Sequence, residues 1–256
     1  MKKVFLPLIL FVLPTFIKAQ TLIPTGEKTL AAKVSKSAVL LYEQDEAGGM
    51  TMLCTGTAYR KIDKGYRFVS AAHCVSGDDD DEQSEIHFFV TADNHQKTFI
   101  PVTLIRAGDK DRGDDFSIFE AVTEEVFEVT PLGDESTLQA GDAVLDISGP
   151  HGLGKMTYFG YVTTVKVDRP QLDAHEVKWN NPMIVSIGGG PGSSGAAIVS
   201  VDQKAIVGFF VGEFSSGDSG GIVVPVSQFK KFEGAVDAKT YIKKPKPKSF
   251  LAHILG

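Results

Sequence analysis

The feature that most constrains this chain is a succession of about a dozen short apolar segments between residues 30 and 230. Many of them are rich in Val, Ile, Phe or Thr and are bounded by Gly, Asp, Asn or Pro, which is typical of β-strands joined by turns. No helical segments alternate with them, so we predict an all-β protein built as barrels or as a sandwich. The predicted strands are Ala38–Tyr42, Met52–Arg60, Tyr66–Ala71, Ile86–Thr91, Phe99–Ile105, Phe116–Ala121, Ala143–Ser148, Met156–Val167, Met183–Ile187, Ala196–Val201, Lys204–Val211 and Gly221–Val226.

The first 19 residues have the three-part layout of a secretory signal peptide. Lys2 and Lys3 precede an apolar stretch from Val4 to Ile17, and the small residue Ala19 ends the segment. A membrane anchor is the alternative, but a stretch this short, interrupted by two prolines, is poorly suited to spanning a bilayer. We therefore predict cleavage after Ala19, giving a secreted or periplasmic product without stable membrane insertion.

The net charge and the charged segments of the chain indicate which classes of partner it could bind. The formal net charge of −6 gives no sign of a nucleic-acid partner, and removal of the lysine-containing signal makes the chain more acidic still. The acidic run Asp78–Glu82 is either a solvated surface loop or a calcium site, although it lacks the interleaved Asn, Asp and Gly of known calcium loops. The Lys- and Pro-rich C-terminal tail is either flexible or a docking arm.

The chain has two cysteines, Cys54 and Cys74. In an oxidising compartment an isolated pair is typical of one disulfide, which would close a loop of about 20 residues and stabilise the fold by about 3 kcal/mol. Two buried free thiols are the alternative. Neither CxxC nor HExxH spacing is present, so we predict neither a metal site nor a cofactor.

Three segments carry residues suited to nucleophilic catalysis. His73 ends an apolar strand beside Cys74, which is a good position for a general base. Asp115 opens an apolar strand, where a buried carboxylate can orient an imidazole. Ser194 lies in a glycine-rich loop whose glycines allow a sharp turn and leave backbone N–H groups free to bind an oxyanion. Taken singly, each of these signals is weak.

Taken together, the segments resemble the trypsin/chymotrypsin-like serine protease family, and most closely its compact bacterial members, including the HtrA-type protease domain without a PDZ domain. The chain order His, Asp, Ser is that of this family and differs from the order in subtilisin-type and α/β-hydrolase enzymes. The motifs are Cys-x-Gly-Thr at 54–57, Ser-Ala-Ala-His-Cys at 70–74, Asp-Phe-Ser-Ile at 115–118 and Gly-x-Ser-Gly at 192–195.

The resemblance covers residues 32–232, leaving a signal peptide at 1–19, a lead segment at 20–31 and a tail at 233–256. It implies two packed six-stranded antiparallel β-barrels with the active site in the cleft between them. It also implies a secreted serine endopeptidase that acts on protein or peptide substrates through an acyl-enzyme intermediate. A catalytically silent binding scaffold of the same fold is the alternative.

The resemblance further assigns roles to individual residues. His73 would be the general base, Asp115 its orienting acid and Ser194 the nucleophile. The backbone N–H groups of Gly192 and Ser194 would bind the oxyanion. Ser193 stands where trypsin-type zymogens carry the aspartate that pairs with a newly cut N-terminus, so that route of activation is not expected.

The substrate pocket is predicted at Gly188, Val211, Gly212 and Glu213. Gly188 stands where trypsin-like enzymes carry a pocket aspartate, so a small or apolar substrate residue is expected. The alternative is a basic substrate residue attracted by Glu213 or Asp218.

Two further segments compete with these assignments. Gly217–Gly221 matches the trypsin nucleophile motif closely, but only one strand follows Ser219, whereas a hairpin and a closing strand follow Ser194. Ser194 is therefore the predicted nucleophile. Gly149–Lys155 is similar to a phosphate-binding loop, but Met156 stands in place of Ser or Thr and no βαβ unit surrounds it.

Overall fold

The computed structural model describes residues 25–45, 47–75, 87–92, 98–109, 113–174, 178–214 and 220–237. In these residues twelve strands form two closed barrels, each of six antiparallel strands. The predicted double barrel is therefore confirmed, and each of the twelve predicted strands overlaps one of the strands present. The acidic run Asp78–Glu82 and residue Ser219 lie outside the described residues.

Barrel 1 is built from the first half of the chain, in the strand order β1-β2-β3-β6-β5-β4, and pairing of β4 with β1 closes it. Its interior contains aromatic pairs beside aliphatic side chains: the Phe68 and Phe127 rings are 5.1 Å apart and the Phe88 and Phe119 rings 5.5 Å apart, both pairs edge to face. The strands are β1 (Ala38–Gln44), β2 (Met50–Ile62), β3 (Gly65–Ser70), β4 (His87–Thr91), β5 (Ile100–Ala107) and β6 (Ser117–Val122).

Barrel 2 is built from the second half, in the order β10-β11-β12-β9-β8-β7, and pairing of β7 with β10 closes it. Its interior holds mainly aliphatic side chains, among them Val144, Met183, Ile198 and Val207. The strands are β7 (Ala143–Ser148), β8 (Met156–Thr164), β9 (Met183–Val185), β10 (Ala197–Ser200), β11 (Ala205–Glu213) and β12 (Gly221–Pro225).

A third apolar cluster joins the two barrels. Phe116, just before β6, contacts Phe209 of β11 with ring centroids 5.8 Å apart, and both rings contact Phe229. All three side chains are almost completely buried. The barrels therefore share a core, so that loops from both sides are held against one another along their boundary.

In the part of the chain that the structure describes, three α-helices accompany the barrels: α1 (Thr25–Ser35), α2 (Arg169–Ala174) and α3 (Val226–Asp237). Helix α3 buries Val226, Phe229 and Phe232, whose spacing of three residues puts them on one helical face. None of the helices in the described residues is both long enough and apolar enough to cross a membrane.

Two predicted segment boundaries fall inside helices. Residue 31, the predicted end of the lead segment, lies within α1, which continues to Ser35 and buries Leu30 and Val34. Residue 233, the predicted start of the tail, lies within α3, where Glu233 is 5% exposed and pairs with Arg60 at 2.9 Å. Both helices pack against the core that the barrels share, because each carries apolar side chains that belong to it. The division of the chain, including the signal peptide at 1–19, stays a prediction.

Candidate active site

Barrel 1 holds His73 at the end of strand β3. The chain leaves β3 at Ser70 and forms a short 3-10 helix over Ala72–Cys74, whose middle residue is His73. The predicted disulfide is present: Cys74 is bonded to Cys54 of β2, with an S–S distance of 2.01 Å. The disulfide fixes the segment that carries the imidazole, and the His73 side chain remains 28% exposed.

Asp115 lies directly beneath this imidazole and is completely buried. Its Oδ2 lies 2.7 Å from Nδ1 of His73, and its Oδ1 accepts a hydrogen bond of 2.9 Å from the His73 backbone N–H. With the proton on Nδ1, the lone pair of Nε2 is left to act as a base. The structure thus brings His73 and Asp115 together, as the sequence predicts.

A third donor also reaches this carboxylate. The indole N–H of Trp179 donates a hydrogen bond of 3.1 Å to Oδ2 of Asp115. Burial acts to raise the pKa of Asp115, but the hydrogen bonds and charge interaction with His73, together with the Trp179 hydrogen bond, outweigh it and hold the pKa below its ordinary value. The carboxylate is therefore kept ionised although it is removed from water.

The glycine-rich loop of barrel 2 brings Ser194 against barrel 1. Its carbonyl oxygen accepts a hydrogen bond of 3.0 Å from the N–H of Thr55 on β2. Gly195 has a φ of +84°, and a Cβ there would lie 2.4 Å from Oγ of Ser70 and 2.7 Å from N of Ala71. Only glycine permits this approach, which presses the loop onto the segment leading to His73. Within the described residues, no hydrogen bond joins the Ser194 hydroxyl to the His73 ring.

In this loop the backbone N–H groups on both sides of Ser193 are unpaired. Those of Gly192 and Ser194 donate to no acceptor in the part of the chain that the structure describes, whereas Ser193 N–H donates to Gly190 at 2.9 Å and Gly195 N–H to Phe210 at 2.8 Å. Free N–H groups at alternate positions of a tight turn suit the binding of an oxyanion. They are the two N–H groups that the sequence predicts for that role.

The Thr55 hydroxyl fixes the orientation of this turn. It donates to the Gly192 carbonyl oxygen at 2.7 Å and accepts from the Gly149 N–H at 2.9 Å. Thr55 is fully buried, so both hydrogen bonds are shielded from water. The Gly192 carbonyl is engaged by this hydroxyl, while the Gly192 N–H stays unpaired.

The predicted pocket residues fall into two groups. Gly188 and Glu213 lie close together, since Oε2 of Glu213 is 3.8 Å from the position of a Cβ on Gly188, and Gly212 precedes Glu213 on β11. Val211 is 4% exposed, and its side chain belongs to the core shared by the barrels. Asp218, the other acid considered, lies outside the described residues.

The side chains around His73 also bear on metal binding. Ligand atoms of Cys54, His73 and Cys74 lie within 4.8 Å of one another. Both sulfur atoms are joined in the disulfide, so neither cysteine can offer the thiolate that metal ligation requires. Of these three residues, only His73 could offer a ligand atom to a metal ion.

Two functional candidates escaped the sequence-based prediction. Trp179 is separated from Asp115 by 64 residues, and its one signal is that it is the only tryptophan in the chain. Thr55 stands in the Cys-x-Gly-Thr motif, but its partner Gly192 is 137 residues away. Neither contact leaves a local pattern that a sequence would reveal.

Two closed barrels that meet at an imidazole–carboxylate pair and a glycine-rich serine loop define the trypsin-like double barrel. The chain belongs to the trypsin-like peptidase family, a family of proteases: the model of the trypsin-like peptidase domain matches residues 54–209. No curated protein matches the sequence.

Solved structures share the fold at low sequence identity. The HtrA-type protease AlgW with a decapeptide has a TM-score of 0.65 and 14% identity over 83% of this chain and 67% of that chain. The serine endoprotease from Yersinia pestis has a TM-score of 0.63 and 19% identity over 85% of this chain and 68% of that one. An AlgW variant with a tripeptide has a TM-score of 0.64 and 15% identity over 82% of this chain. The match covers 62% of that protein, so this chain spans less than two thirds of its length.

Proposed function

We propose that this protein is a secreted serine endopeptidase that cleaves peptide bonds through an acyl-enzyme intermediate. The observation that carries the proposal is the 2.7 Å contact between Nδ1 of His73 and Oδ2 of the buried Asp115, beside the loop that carries Ser194. Such a pair holds the imidazole in the tautomer in which Nε2 can accept a proton. Membership of the trypsin-like peptidase family supports the same reading.

In the proposed reaction, Oγ of Ser194 attacks the carbonyl carbon of the scissile peptide and transfers its proton to Nε2 of His73. The carbonyl oxygen becomes an oxyanion, which the N–H groups of Gly192 and Ser194 bind. His73 then gives the proton to the leaving amine as the C–N bond breaks. Water attacks the acyl-enzyme with His73 as base, and the proton returns to Oγ of Ser194 as the acid product leaves.

Asp115 stabilises the imidazolium that forms in each half-reaction. It is suited to this task because it is ionised and fixed by three donors, from the His73 backbone, the His73 ring and Trp179. Trp179 does not touch the substrate in this mechanism and is a positioning residue.

An extracytoplasmic location is part of the proposal. The disulfide Cys54–Cys74 is of a kind that persists in oxidising compartments. The predicted signal peptide at 1–19 would deliver the chain there, and its removal leaves residues 20–24 before helix α1. Protein or peptide substrates are the proposed partners.

Covalent labelling with a fluorophosphonate probe tests the proposal. We expect the protein to be labelled, and Ser194→Ala to abolish labelling and lower kcat by roughly 10⁶-fold, because the nucleophile is lost. Ser219→Ala is the matched control and should retain most activity. A folded protein that is neither labelled nor active would favour the silent scaffold, and loss of activity in Ser219→Ala alone would overturn the assignment of Ser194.

A further inference from the structure

The carboxylate of Glu213 lies in the predicted substrate pocket. Glu213 is the last residue of β11, and its Oε2 accepts a hydrogen bond of 3.2 Å from the N–H of Gly189. The same oxygen is 3.8 Å from the position that a Cβ on Gly188 would occupy. The negative charge of Glu213 therefore lies next to Gly188, although Glu213 belongs to β11 and not to the glycine-rich loop.

The surroundings of this carboxylate carry few side chains. Glycines stand at 188, 189 and 212, and Gly221 pairs with Glu213 across strands β11 and β12. The Phe210 ring lies close beneath two of them, 2.6 Å from a Cβ on Gly189 and 2.7 Å from one on Gly221. The Phe210 ring belongs to the core of barrel 2 and is 2% exposed, so the surface beside the Glu213 carboxylate is formed mainly by glycine backbone, which leaves room for the long stem of a substrate side chain.

The carboxylate has no cationic partner in the described part of the chain. Glu120 is paired with Arg67 at 2.8 Å and Glu233 with Arg60 at 2.9 Å, but no lysine or arginine of the described residues pairs with Glu213. The Gly189 hydrogen bond engages Oε2 and leaves Oε1 to accept from a ligand. An exposed carboxylate with a free oxygen is a site for an ammonium or guanidinium group.

We propose that Glu213 is the specificity-determining residue of this protein and selects Lys or Arg on the acyl side of the scissile bond. The inference rests on the proposed peptidase function and names its substrate class. It departs from the small or apolar preference expected from Gly188, because the charge reaches the pocket from β11. Both the ammonium group of Lys and the guanidinium group of Arg can bind, since either can donate a hydrogen bond to Oε1 of Glu213.

Matched fluorogenic peptides that differ only in the residue before the cleaved bond test the proposal. We expect kcat/KM for Arg and Lys peptides to exceed that for Leu and Ala peptides by at least about tenfold. Glu213→Gln should remove most of this preference while the Leu rate changes less than about threefold. Glu213→Lys should favour a Glu peptide. Glu124→Gln is the control, because it removes one exposed acid from barrel 1 and should change neither ratio.

The outcomes separate the two proposals. Fluorophosphonate labelling with faster cleavage of Leu or Ala peptides, or an Arg preference that survives Glu213→Gln, overturns the role of Glu213 and leaves the peptidase function intact. Absence of both labelling and cleavage overturns the peptidase function, and the substrate class falls with it. Binding of p-aminobenzamidine, read by its fluorescence, needs no turnover: we expect Glu213→Gln to weaken it at least about tenfold, and unchanged binding would contradict the inference.

Discussion

The hydroxyl of Thr55 donates a hydrogen bond of 2.7 Å to the carbonyl oxygen of Gly192 across the boundary between the barrels. Thr55 belongs to β2 of barrel 1, and Gly192 to the loop that carries Ser194 in barrel 2. The same hydroxyl accepts from Gly149, so one side chain joins two loops of barrel 2. The orientation of the proposed oxyanion site is thereby set from the other barrel.

Removal of this hydroxyl should therefore impair turnover. Thr55→Val keeps the shape but leaves the Gly192 carbonyl and the Gly149 N–H without their partner, at a cost of about 1–3 kcal/mol for the buried Gly149 N–H and less for the partly buried Gly192 carbonyl. We expect kcat to fall at least about tenfold with little change in KM, measured on a peptide substrate. Thr55→Ser keeps the hydroxyl and should retain most of kcat; equal activity of the two variants would contradict this role.

Loss of the indole N–H should weaken the support of Asp115. In Trp179→Phe the carboxylate keeps its two donors from His73 but loses the third, so the pKa of Asp115 rises from its lowered position. We expect kcat to fall about tenfold with KM unchanged, and the acid side of the kcat/KM profile to move to higher pH. If Trp179→Phe matched the wild-type pH profile, the hydrogen bond would have no functional role.

Opening the disulfide should cost stability and activity together. Cys54 and Cys74 close a loop with a sequence separation of 20, for which cross-linking stabilises a fold by about 3 kcal/mol. We expect Cys54→Ser combined with Cys74→Ser to lower the free energy of unfolding by this amount in urea titrations. Activity should fall as well, because Cys74 anchors the neighbouring His73. A reducing agent should destabilise the wild type and leave the double variant unchanged.

The buried carboxyl group of Asp146 should make the free energy of unfolding depend on pH. This residue is completely buried inside barrel 2, where Oδ2 accepts from Ser148 at 2.7 Å and Oδ1 has no partner in the described residues. Burial raises the pKa of Asp146 to about 7 from its ordinary value of 3.8. Between these values the folded chain binds a proton that the unfolded chain has released, so the contribution of Asp146 to stability falls as pH rises from about 4 to about 7.

Asp146→Asn should remove this pH dependence. At and above pH 7 the wild type bears the cost of a buried charge, at most about 4 kcal/mol, and the variant does not. We expect the variant to unfold at higher urea concentration than the wild type at pH 8 and with a smaller difference at pH 4, measured in a Ser194→Ala background to prevent self-digestion. Asp202→Asn, an exposed acid on a turn, should leave the dependence intact.

The strands were predictable because their signal is local. The predicted segment Ala143–Ser148 coincides with β7, while Met156–Val167 extends three residues beyond the end of β8 at Thr164. The helices were missed for a physical reason: in α3 the apolar residues Val226 and Phe229 follow a strand directly and are then mixed with lysines. Only packing against the shared core distinguishes this pattern from a strand end and a solvated tail.

The candidate site divides in the same way. His73 and Asp115 could be predicted from motifs, and the structure puts them in contact. Trp179 and Thr55 could not, because their roles depend on partners that are brought close only by barrel closure and docking. Glu213 was one of two acids considered, and the direction of its side chain is set by the Gly189 N–H, which a sequence does not encode locally.

Helix α3 has a consequence for the order in which the molecule is completed. It follows the last strand of barrel 2, yet Phe232 lies under Arg106 of barrel 1 at 4.3 Å, and Glu233 pairs with Arg60 of the same barrel. Helix α3 thus contacts barrel 1, although it follows barrel 2 in the sequence. Because α3 follows both barrels in the sequence, it is synthesised after them, and a chain that ends before Val226 lacks these contacts between α3 and barrel 1.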